Sequence, residues 1–370
     1  MKEKKRPVIG ITHGDINGVG YEVILRALSD PAMLDLCIPV IYGSAKIAAL
    51  YRKTLGIAGP QLNSVENASA AVAGHVNIIN VVADDTKVDI GQSTSTAGEA
   101  AFAALECAVA DLRSGVIDTL VTAPINKHNI QSDTFTFPGH TEYLEASLGD
   151  GEDKALMIMV NDFMRVALVT THLPLGKVAE ALTAEAITEK LRIFSDSLVR
   201  DFSLTNPRIA VLALNPHAGD GGVTGTEESE IISPAIEEAR KMRINCFGPY
   251  AADGFFGSGA YRKFDGILAM THDQGLIPFK ALDPDGGVNF TAGLQYVRTS
   301  PDHGTAYDIA GKGVAEEASM RHAIFQSIDI LRSRARHADM TARPLRKQYF
   351  EKNTKDNVVL DLTKDEDPHS

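Results

Sequence analysis

Short apolar runs alternate along this chain with longer segments in which apolar residues recur at helical spacing. In the first third, the pattern predicts strands over residues 8–13, 38–42 and 116–122 and helices over residues 45–55 and 96–112. A strand that is followed by a helix and then another strand favours parallel pairing with helical crossovers. The alternation therefore predicts an α/β fold.

The same alternation continues through the rest of the chain. Further strands are predicted over residues 155–160, 166–171, 209–214 and 266–270, and further helices over residues 184–202, 229–242 and 320–338. Thr183 precedes one of these helices and is a suitable N-cap residue. A chain of 370 residues exceeds one ordinary core, since domains average roughly 150 residues, so we expect two lobes.

The charge balance argues against several classes of partner. With 36 Lys and Arg against 48 Asp and Glu, the net charge is −12, which repels nucleic acid and anionic lipid. The three cysteines lie far apart and form no motif, which is typical of a reducing compartment. No apolar run is long enough to span a bilayer, and the basic start has no signal-type apolar stretch. We therefore expect a cytoplasmic protein without nucleic-acid or membrane partners.

Histidines follow three of the predicted strands, just past the last apolar residues. They are His172, His217 and His272. Because ligands of open α/β sheets bind beyond the carboxyl ends of the strands, three imidazoles there can converge on one divalent ion. A single histidine at a strand end is more often a loop residue satisfied by hydrogen bonds, and these separations match no short metal-binding signature. Spacing alone leaves both interpretations open.

A second group of candidate residues is basic and polar: His140, Thr141, Lys280, Asn289 and Arg298. The first two open a predicted helical segment, whose free N–H groups favour an anion, and the lysine and arginine add charge-assisted contacts. On an acidic chain this grouping indicates a phosphate site. The alternative roles are structural, since Thr141 can cap the helix and Arg298 can form an ion pair.

A glycine-rich loop over residues 14–20 follows the first strand and precedes a helix. Its spacing is GxxxGxG, so it lacks the dinucleotide-binding pattern GxGxxG, and no Gly-Lys-Ser/Thr follows as in a P-loop. We expect a tight turn that brings the backbone close to another chain segment or a ligand.

Nine ordered segments resemble a known family: ITHGDINGVGYEV, VTAPINK, FPGHTEYL, VTTHLPL, LNPHAGDGG, ADGFF, THDQGLIPFK, GGVN and RTSPDHGTAYDIAGKG. They are similar to those of the 4-hydroxythreonine-4-phosphate dehydrogenases of vitamin B6 (pyridoxal phosphate) biosynthesis. The resemblance implies a two-lobed α/β/α sandwich like that of isocitrate and isopropylmalate dehydrogenases, with the active site in the interlobe cleft. We assign residues 1–125 and 275–342 to the first lobe, residues 126–274 to the second, and residues 343–370 to a polar tail.

The resemblance also implies site residues and assembly. It implies that His172, His217 and His272 bind one divalent metal, for which zinc, magnesium, cobalt and manganese all remain open. The implied substrate contacts are His140, Thr141, Lys280, Asn289 and Arg298. The implied assembly is a homodimer whose active site is shared across the interface.

The implied reaction is the oxidation of 4-phosphohydroxy-L-threonine by NAD or NADP. Its product, 2-amino-3-oxo-4-phosphooxybutanoate, decarboxylates to 3-amino-2-oxopropyl phosphate on the route to pyridoxine 5'-phosphate. The sequence departs from the family pattern at GDINGVGYE and at GDGGVTGTEE, where Val223 and Thr226 replace a histidine and an arginine. These departures leave open a dehydrogenase of a threonate or erythronate phosphate, or of a cyclic diol carboxylate.

Two other functional classes remain on the residues alone. A three-histidine metallohydrolase would use a metal-activated water and need no dinucleotide. A phosphometabolite-binding protein would use the basic residues without catalysis.

Overall fold

The computed structural model describes residues 6–59, 61–151 and 153–343. The predicted tail lies outside these residues except for Arg343. The strands are β1 Val8–Thr12, β2 Ile38–Gly43, β3 Leu62–Ser64, β4 Val76–Asn80, β5 Thr119–Thr122, β6 Leu156–Val160, β7 Arg165–Leu168, β8 Ile209–Leu212, β9 Cys246–Tyr250, β10 Gly266–Ala269, β11 Val288–Ala292 and β12 Arg298–Pro301.

The α-helices cover the segments with helical periodicity and several shorter stretches. They are α1 Gly20–Ala27, α2 Met33–Leu36, α3 Ala45–Leu55, α4 Ser95–Arg113, α5 His140–Leu148, α6 Val178–Ala181, α7 Ala184–Arg200, α8 Ser233–Lys241, α9 Ala252–Gly257, α10 His272–Leu282 and α11 Ala318–Thr341. The predicted strands and helices are all present, with ends that differ by a few residues, and the α/β fold is confirmed.

Within the described residues, the strands form one sheet of 12 strands in the order β3-β4-β2-β1-β5-β12-β11-β6-β7-β10-β8-β9. The strands of the predicted first lobe occupy the first seven places of this order and those of the second lobe the last five, meeting where β11 pairs with β6. The division into two lobes remains a prediction, but its proposed boundaries coincide with this junction.

Parallel pairing holds for much of the sheet and fails in its middle. β1 pairs in parallel with β2 and β5, as predicted. By contrast, β11 is antiparallel to both β12 and β6, and β6 is antiparallel to β7. The lengths of the connecting segments explain the antiparallel pairing. Only four residues join β6 to β7 and five join β11 to β12, whereas a parallel crossover needs about a dozen or more.

Side-chain caps fix the residues at which two of the helices begin. The Thr271 hydroxyl accepts a hydrogen bond from the Gln274 N–H at 3.3 Å, so that α10 begins at His272. The predicted cap Thr183 does the same for α7 through the Ala186 N–H at 3.1 Å. α5 begins differently, because its N-cap residue is Gly139 and no side chain caps it. The alternative role of Thr141 as an N-cap residue is therefore wrong.

The glycine-rich loop packs against other segments of the chain. A Cβ on Gly18 would lie 2.7 Å from the carbonyl oxygen of Thr305, and one on Gly14 would overlap the carbonyl of Pro124. Asp15 in this loop accepts hydrogen bonds from the Tyr307 hydroxyl at 2.6 Å and the Asn129 amide at 2.8 Å. The tight turn is thus confirmed, and its neighbour is protein.

The position of the hydrophobic core follows from the topology of the sheet. Parallel strands with helices on both faces are buried on both sides, and the side chains of Ile9, Ile11, Ile41 and Val121 have no exposed surface. Within the described residues, no helix combines the length and apolarity that crossing a bilayer requires.

Candidate active site

A cavity of about 290 Å³ lies at the carboxyl end of β5, beside the first turns of α5 and α10. It collects all five residues of the predicted anion site and two of the three predicted metal ligands. Its lining includes His140, Thr141, His172, His272, Lys280, Asn289 and Arg298, together with Thr122, Lys127, Glu142, Met157, Met159, Leu276, Ser300, Asp302 and His303. Three cations and two carboxylates in this wall make it locally cationic on an acidic chain.

Arg298 is the most deeply placed cation of the cavity. It begins β12 with 2 % of its surface exposed and donates to the hydroxyls of Thr122 at 3.1 Å and Thr291 at 3.2 Å. Burial lowers the pKa of Arg298 to about 9, and the Glu142 carboxylate opposes the shift. The guanidinium therefore stays charged at neutral pH, at a position fixed by neighbouring strands.

Lys280 and Asn289 present a donor and an acceptor to the same space. The Lys280 ammonium donates to the backbone carbonyl of Asp302 at 2.9 Å and lies 3.6 Å from its carboxylate. The Asn289 Oδ1 atom is buried and has no hydrogen-bond partner among the described residues. A buried acceptor without a partner costs free energy, which a bound ligand that donates to it would recover.

His140 begins α5 with a half-buried ring whose Nε2 atom is buried, and within the described residues that nitrogen has no partner. Burial, with smaller effects from the charges of Arg298 and Lys127, holds the pKa of His140 well below its usual value. The ring is therefore neutral at physiological pH, and it can donate or accept a hydrogen bond according to its tautomer.

His172 lies between two charged side chains that the sequence analysis did not single out. The Lys127 Nζ atom is 3.0 Å from its Nε2 atom, and the Glu142 Oε1 atom is 3.7 Å from its Nδ1 atom. The His172 imidazole lowers the pKa of Glu142, against the opposing effect of burial. Lys127 ends the segment VTAPINK and Glu142 lies in FPGHTEYL. Both residues thus belong to segments that carry the family resemblance, through which they could have been found.

His272 approaches His172 across the cavity. Their ring centroids are 6.5 Å apart, and the His272 Nδ1 atom lies 2.8 Å from the Asp273 carboxylate. Its place at the first position of α10 follows from the Thr271 cap.

His217 is exposed and does not line this cavity. It lies in a loop where six successive residues, 217–222, have positive φ, and its own φ is 54°. The buried Glu228 carboxylate anchors the start of this loop by accepting from the backbone N–H groups of Leu214 at 2.9 Å and Asn215 at 2.7 Å. Non-glycine residues persist in the left-handed region only where their surroundings hold them there.

The strands that precede the three histidines are neighbours. β10 pairs in parallel with β7 on one side and β8 on the other, so His172, His272 and His217 all follow strands that end at one edge of the sheet. Within residues 6–59, 61–151 and 153–343, however, no three His, Cys, Asp or Glu side chains of the single chain form a ready metal site. The three-histidine ligand set thus remains a prediction.

A second cavity of about 130 Å³ shares Asp302 and His303 with the first. Its wall is mostly apolar and includes Val19, Val23, Ala306, Ile309 and Ala315. Apolar walls with a few polar groups are typical of small-molecule sites.

Together, the mostly parallel sheet, the cationic cavity at strand ends and the paired imidazoles define an α/β enzyme that acts on a small anionic molecule. A sequence model of the family described as "Pyridoxal phosphate biosynthetic protein PdxA" matches residues 35–327. The chain belongs to this family, the 4-hydroxythreonine-4-phosphate dehydrogenases. Membership in a dehydrogenase family entails a nicotinamide cofactor.

Three relatives illustrate the match. A 4-hydroxythreonine-4-phosphate dehydrogenase of Bacteroides thetaiotaomicron is 57% identical over 366 residues, which cover 99% of this chain and 100% of the relative. The crystal structure of the Klebsiella pneumoniae enzyme of that name is 32% identical, with a TM-score of 0.76, and the match covers 88% of this chain and 99% of that one. A Cutibacterium acnes relative, provisionally named a D-threonate 4-phosphate dehydrogenase, is 36% identical over 89% of this chain and 95% of its own length.

Proposed function

We propose that this protein oxidises 4-phosphohydroxy-L-threonine with NAD or NADP, in the biosynthesis of pyridoxine 5'-phosphate. The observation that carries the proposal is that one cavity collects all five predicted substrate contacts beside two imidazoles. The substrate alcohol loses a hydride to the nicotinamide and a proton to give 2-amino-3-oxo-4-phosphooxybutanoate. This β-keto acid then loses CO₂ to give 3-amino-2-oxopropyl phosphate.

The cationic wall supports a substrate that carries phosphate and carboxylate groups. Lys280, His140 and Thr141 hold its anionic end, where α5 also presents uncapped N–H groups. Arg298 and Asn289 complete its orientation from two adjacent strands. Because Arg298 is buried and held by two threonine hydroxyls, it offers a charge that needs little reorganisation when the substrate binds.

A buried acceptor in the wall supports an amino substrate over threonate phosphate. The Asn289 Oδ1 atom is buried and lacks a hydrogen-bond partner among the described residues. The ammonium group of 4-phosphohydroxy-L-threonine offers it three N–H donors, whereas the corresponding hydroxyl of D-threonate 4-phosphate offers one donor. The C. acnes relative keeps the threonate substrate as the second candidate.

The histidines support a single divalent ion, held by His172, His272 and His217. Neutral imidazoles suit such an ion, and two of the rings already lie 6.5 Å apart. When bound, the ion acts as a Lewis acid toward the oxygen-rich substrate. The second cavity supports binding of part of the dinucleotide, since it adjoins the substrate cavity through Asp302 and His303.

We propose a homodimer whose active site includes residues of both subunits. Exposed apolar side chains lie close in sequence to each of the three histidines: Leu173 and Leu175 after His172, Val223 after His217 and Ile277 after His272. Exposed apolar side chains near a polar site support this proposal, because they are typical of a surface that another chain covers.

The test is to mix the protein with 4-phosphohydroxy-L-threonine, a divalent metal and NAD or NADP, and to record the absorbance of reduced nicotinamide. We expect that absorbance to rise, and to rise more slowly with D-threonate 4-phosphate or erythronate 4-phosphate. Release of inorganic phosphate without reduced nicotinamide would instead identify a metallohydrolase. Substrate binding without either product would identify a binding protein.

A further inference from the structure

We propose that Lys127 and the divalent ion compete for one nitrogen of His172, and that Glu142 holds this histidine in the tautomer that both require. The inference rests on the proposed function, because it assumes that His172 binds the ion. It assigns positioning roles to two residues that belong to neither the predicted metal ligands nor the predicted substrate contacts.

The contacts of His172 define its tautomer. An ammonium group only donates hydrogen bonds, so the contact of 3.0 Å between Lys127 Nζ and His172 Nε2 uses the lone pair of that nitrogen. The neutral ring then carries its proton on Nδ1, which faces the Glu142 carboxylate at 3.7 Å. A metal ion binds a neutral imidazole through the same kind of lone pair. The ion and the Lys127 ammonium therefore exclude each other at Nε2.

The cavity wall offers the displaced ammonium another partner. The Glu142 Oε2 atom is buried and, within the described residues, lacks a hydrogen-bond partner. A Cβ on Gly139 would lie 3.4 Å from this oxygen and 3.8 Å from Lys127 Cε, so the glycine leaves open the space between them. We infer that Lys127 turns toward Glu142 when the ion binds.

The backbone around Lys127 is fixed, so that only its side chain needs to move. The Asn126 Oδ1 atom accepts from the N–H groups of His128 at 2.8 Å and Asn129 at 3.2 Å. The Asn129 amide in turn donates to the buried carboxylate of Asp15 at 2.8 Å.

The two roles predict opposite effects on metal affinity, which can be measured without catalysis. The full-length protein is titrated with Co²⁺, and binding is followed by the visible absorption of the bound ion. Lys127→Met should bind Co²⁺ about tenfold more tightly, since the competing ammonium is gone. Glu142→Gln should bind it about tenfold more weakly, as loss of a carboxylate partner of a metal-binding histidine commonly does.

Lys280→Met is the matched control, because it removes a positive charge from the same cavity while Lys280 contacts Asp302 and not His172. We expect it to change Co²⁺ affinity by less than about twofold. If Lys127→Met and Lys280→Met raise Co²⁺ affinity equally, the effect comes from removing any positive charge from the cavity, and the proposal is overturned. Weaker binding by both Lys127→Met and Lys127→Gln would show that Lys127 only supports the fold, and would also overturn it.

Failure of the proposed metal site itself gives a different result. Wild-type protein that binds no Co²⁺, or whose Co²⁺ binding survives His172→Ala unchanged, would refute ligation by His172 and this inference with it. Tight wild-type binding that is lost in His172→Ala, combined with no difference between the two lysine variants, would refute only the competition.

Discussion

At the scale of single residues, Lys280 is a proposed substrate contact that also pairs with a carboxylate of the cavity wall. Its ammonium lies 3.6 Å from the Asp302 carboxylate, whose side chain is 3% exposed. Lys280→Ala should lower kcat/KM about ten- to a hundredfold, because a charge-assisted contact contributes roughly 1.5–3 kcal/mol. It should also lower the free energy of unfolding, because the buried carboxylate loses its counter-charge. Steady-state kinetics and denaturant unfolding measure the two effects.

A second substitution separates these two losses. In Lys280→Ala/Asp302→Asn the uncompensated charge is gone, so stability should recover while kcat/KM stays low. Lys241→Ala is the control, since its ion pair with Glu238 lies on the surface, where such pairs contribute roughly 0–1 kcal/mol. Unchanged kcat/KM in Lys280→Ala would remove Lys280 from the substrate site.

His13 makes stability depend on pH. Burial lowers the pKa of this ring, stacked on Tyr21, to about 4, against 6.5 for an unperturbed histidine. As the pH falls below 6.5 the unfolded chain binds the proton first, so stability is complete above 6.5 and decreases as the pH falls toward 4. The full loss is on the order of 3 kcal/mol.

The measurement compares unfolding free energies at about pH 7.5 and about pH 5, where His13 should account for roughly 2 kcal/mol of the decrease. His13→Gln should remove that part whatever its effect on overall stability, whereas His75→Gln, at an exposed position, should leave the decrease unchanged. An equal decrease in wild type and His13→Gln would show that other groups cause it.

At the scale of secondary-structure elements, α4 supports the loop that carries Lys127. Gly98 in α4 faces this loop so closely that a Cβ would overlap the carbonyl of Asn129. Gly98→Ala should therefore lower stability by about 1–3 kcal/mol, although alanine ordinarily favours a helix. It should also lower activity by displacing Lys127. Gly257→Ala in α9, where the added methyl group meets open space, should be neutral or stabilising by up to about 1 kcal/mol.

The same scale shows how far the sequence alone could go. Hydrophobic periodicity located helices as long as α4 and α7 because one face of each is buried. It did not reveal β11 and β12, since their residues VNFTA and RTSP mix polar with apolar side chains at buried positions. These two strands carry Asn289 and Arg298, which the resemblance identified through GGVN and RTSPDHG. The polar residues were thus found by motif, and the strands that orient them only by structure.

Proximity in three dimensions accounts for what motif reading missed. Lys127 follows β5 and His172 follows β7, and 45 residues separate them in the chain. No spacing rule relates them, because their contact depends on the order of strands in the sheet. The three histidines were grouped correctly as strand-end residues, since β7, β10 and β8 are adjacent. Their convergence on one ion stays a prediction, because within the described residues of a single chain no three such side chains form a metal site.

At the scale of the whole molecule, an acidic protein holds a cationic cavity. The net charge of −12 repels an anionic substrate at long range, so we expect capture to depend on the proposed contacts Lys280 and Arg298 once the substrate enters the cavity. A covering subunit would strengthen these contacts by excluding water, because charges interact more strongly where the dielectric is low. The proposed dimer would thus contribute to substrate affinity as well as to metal ligation.

The dimer proposal predicts which inactive chains can restore each other's activity. His172 and His272 line one cavity of one chain, whereas His217 does not line it, so we expect His217 to come from the partner subunit. A mixed dimer of His172→Ala and His217→Ala chains would then have one site with both defects and one with neither, and mixing should restore part of the wild-type activity. A mixture of His172→Ala and His272→Ala chains should restore none, because each site keeps one defect. Native mass spectrometry verifies that mixed dimers form in both cases.

Two outcomes would contradict this arrangement. Recovery in the second mixture but not the first would show that His217 and His172 reach each site from the same subunit. Full activity of a monomer in sedimentation would refute the shared site.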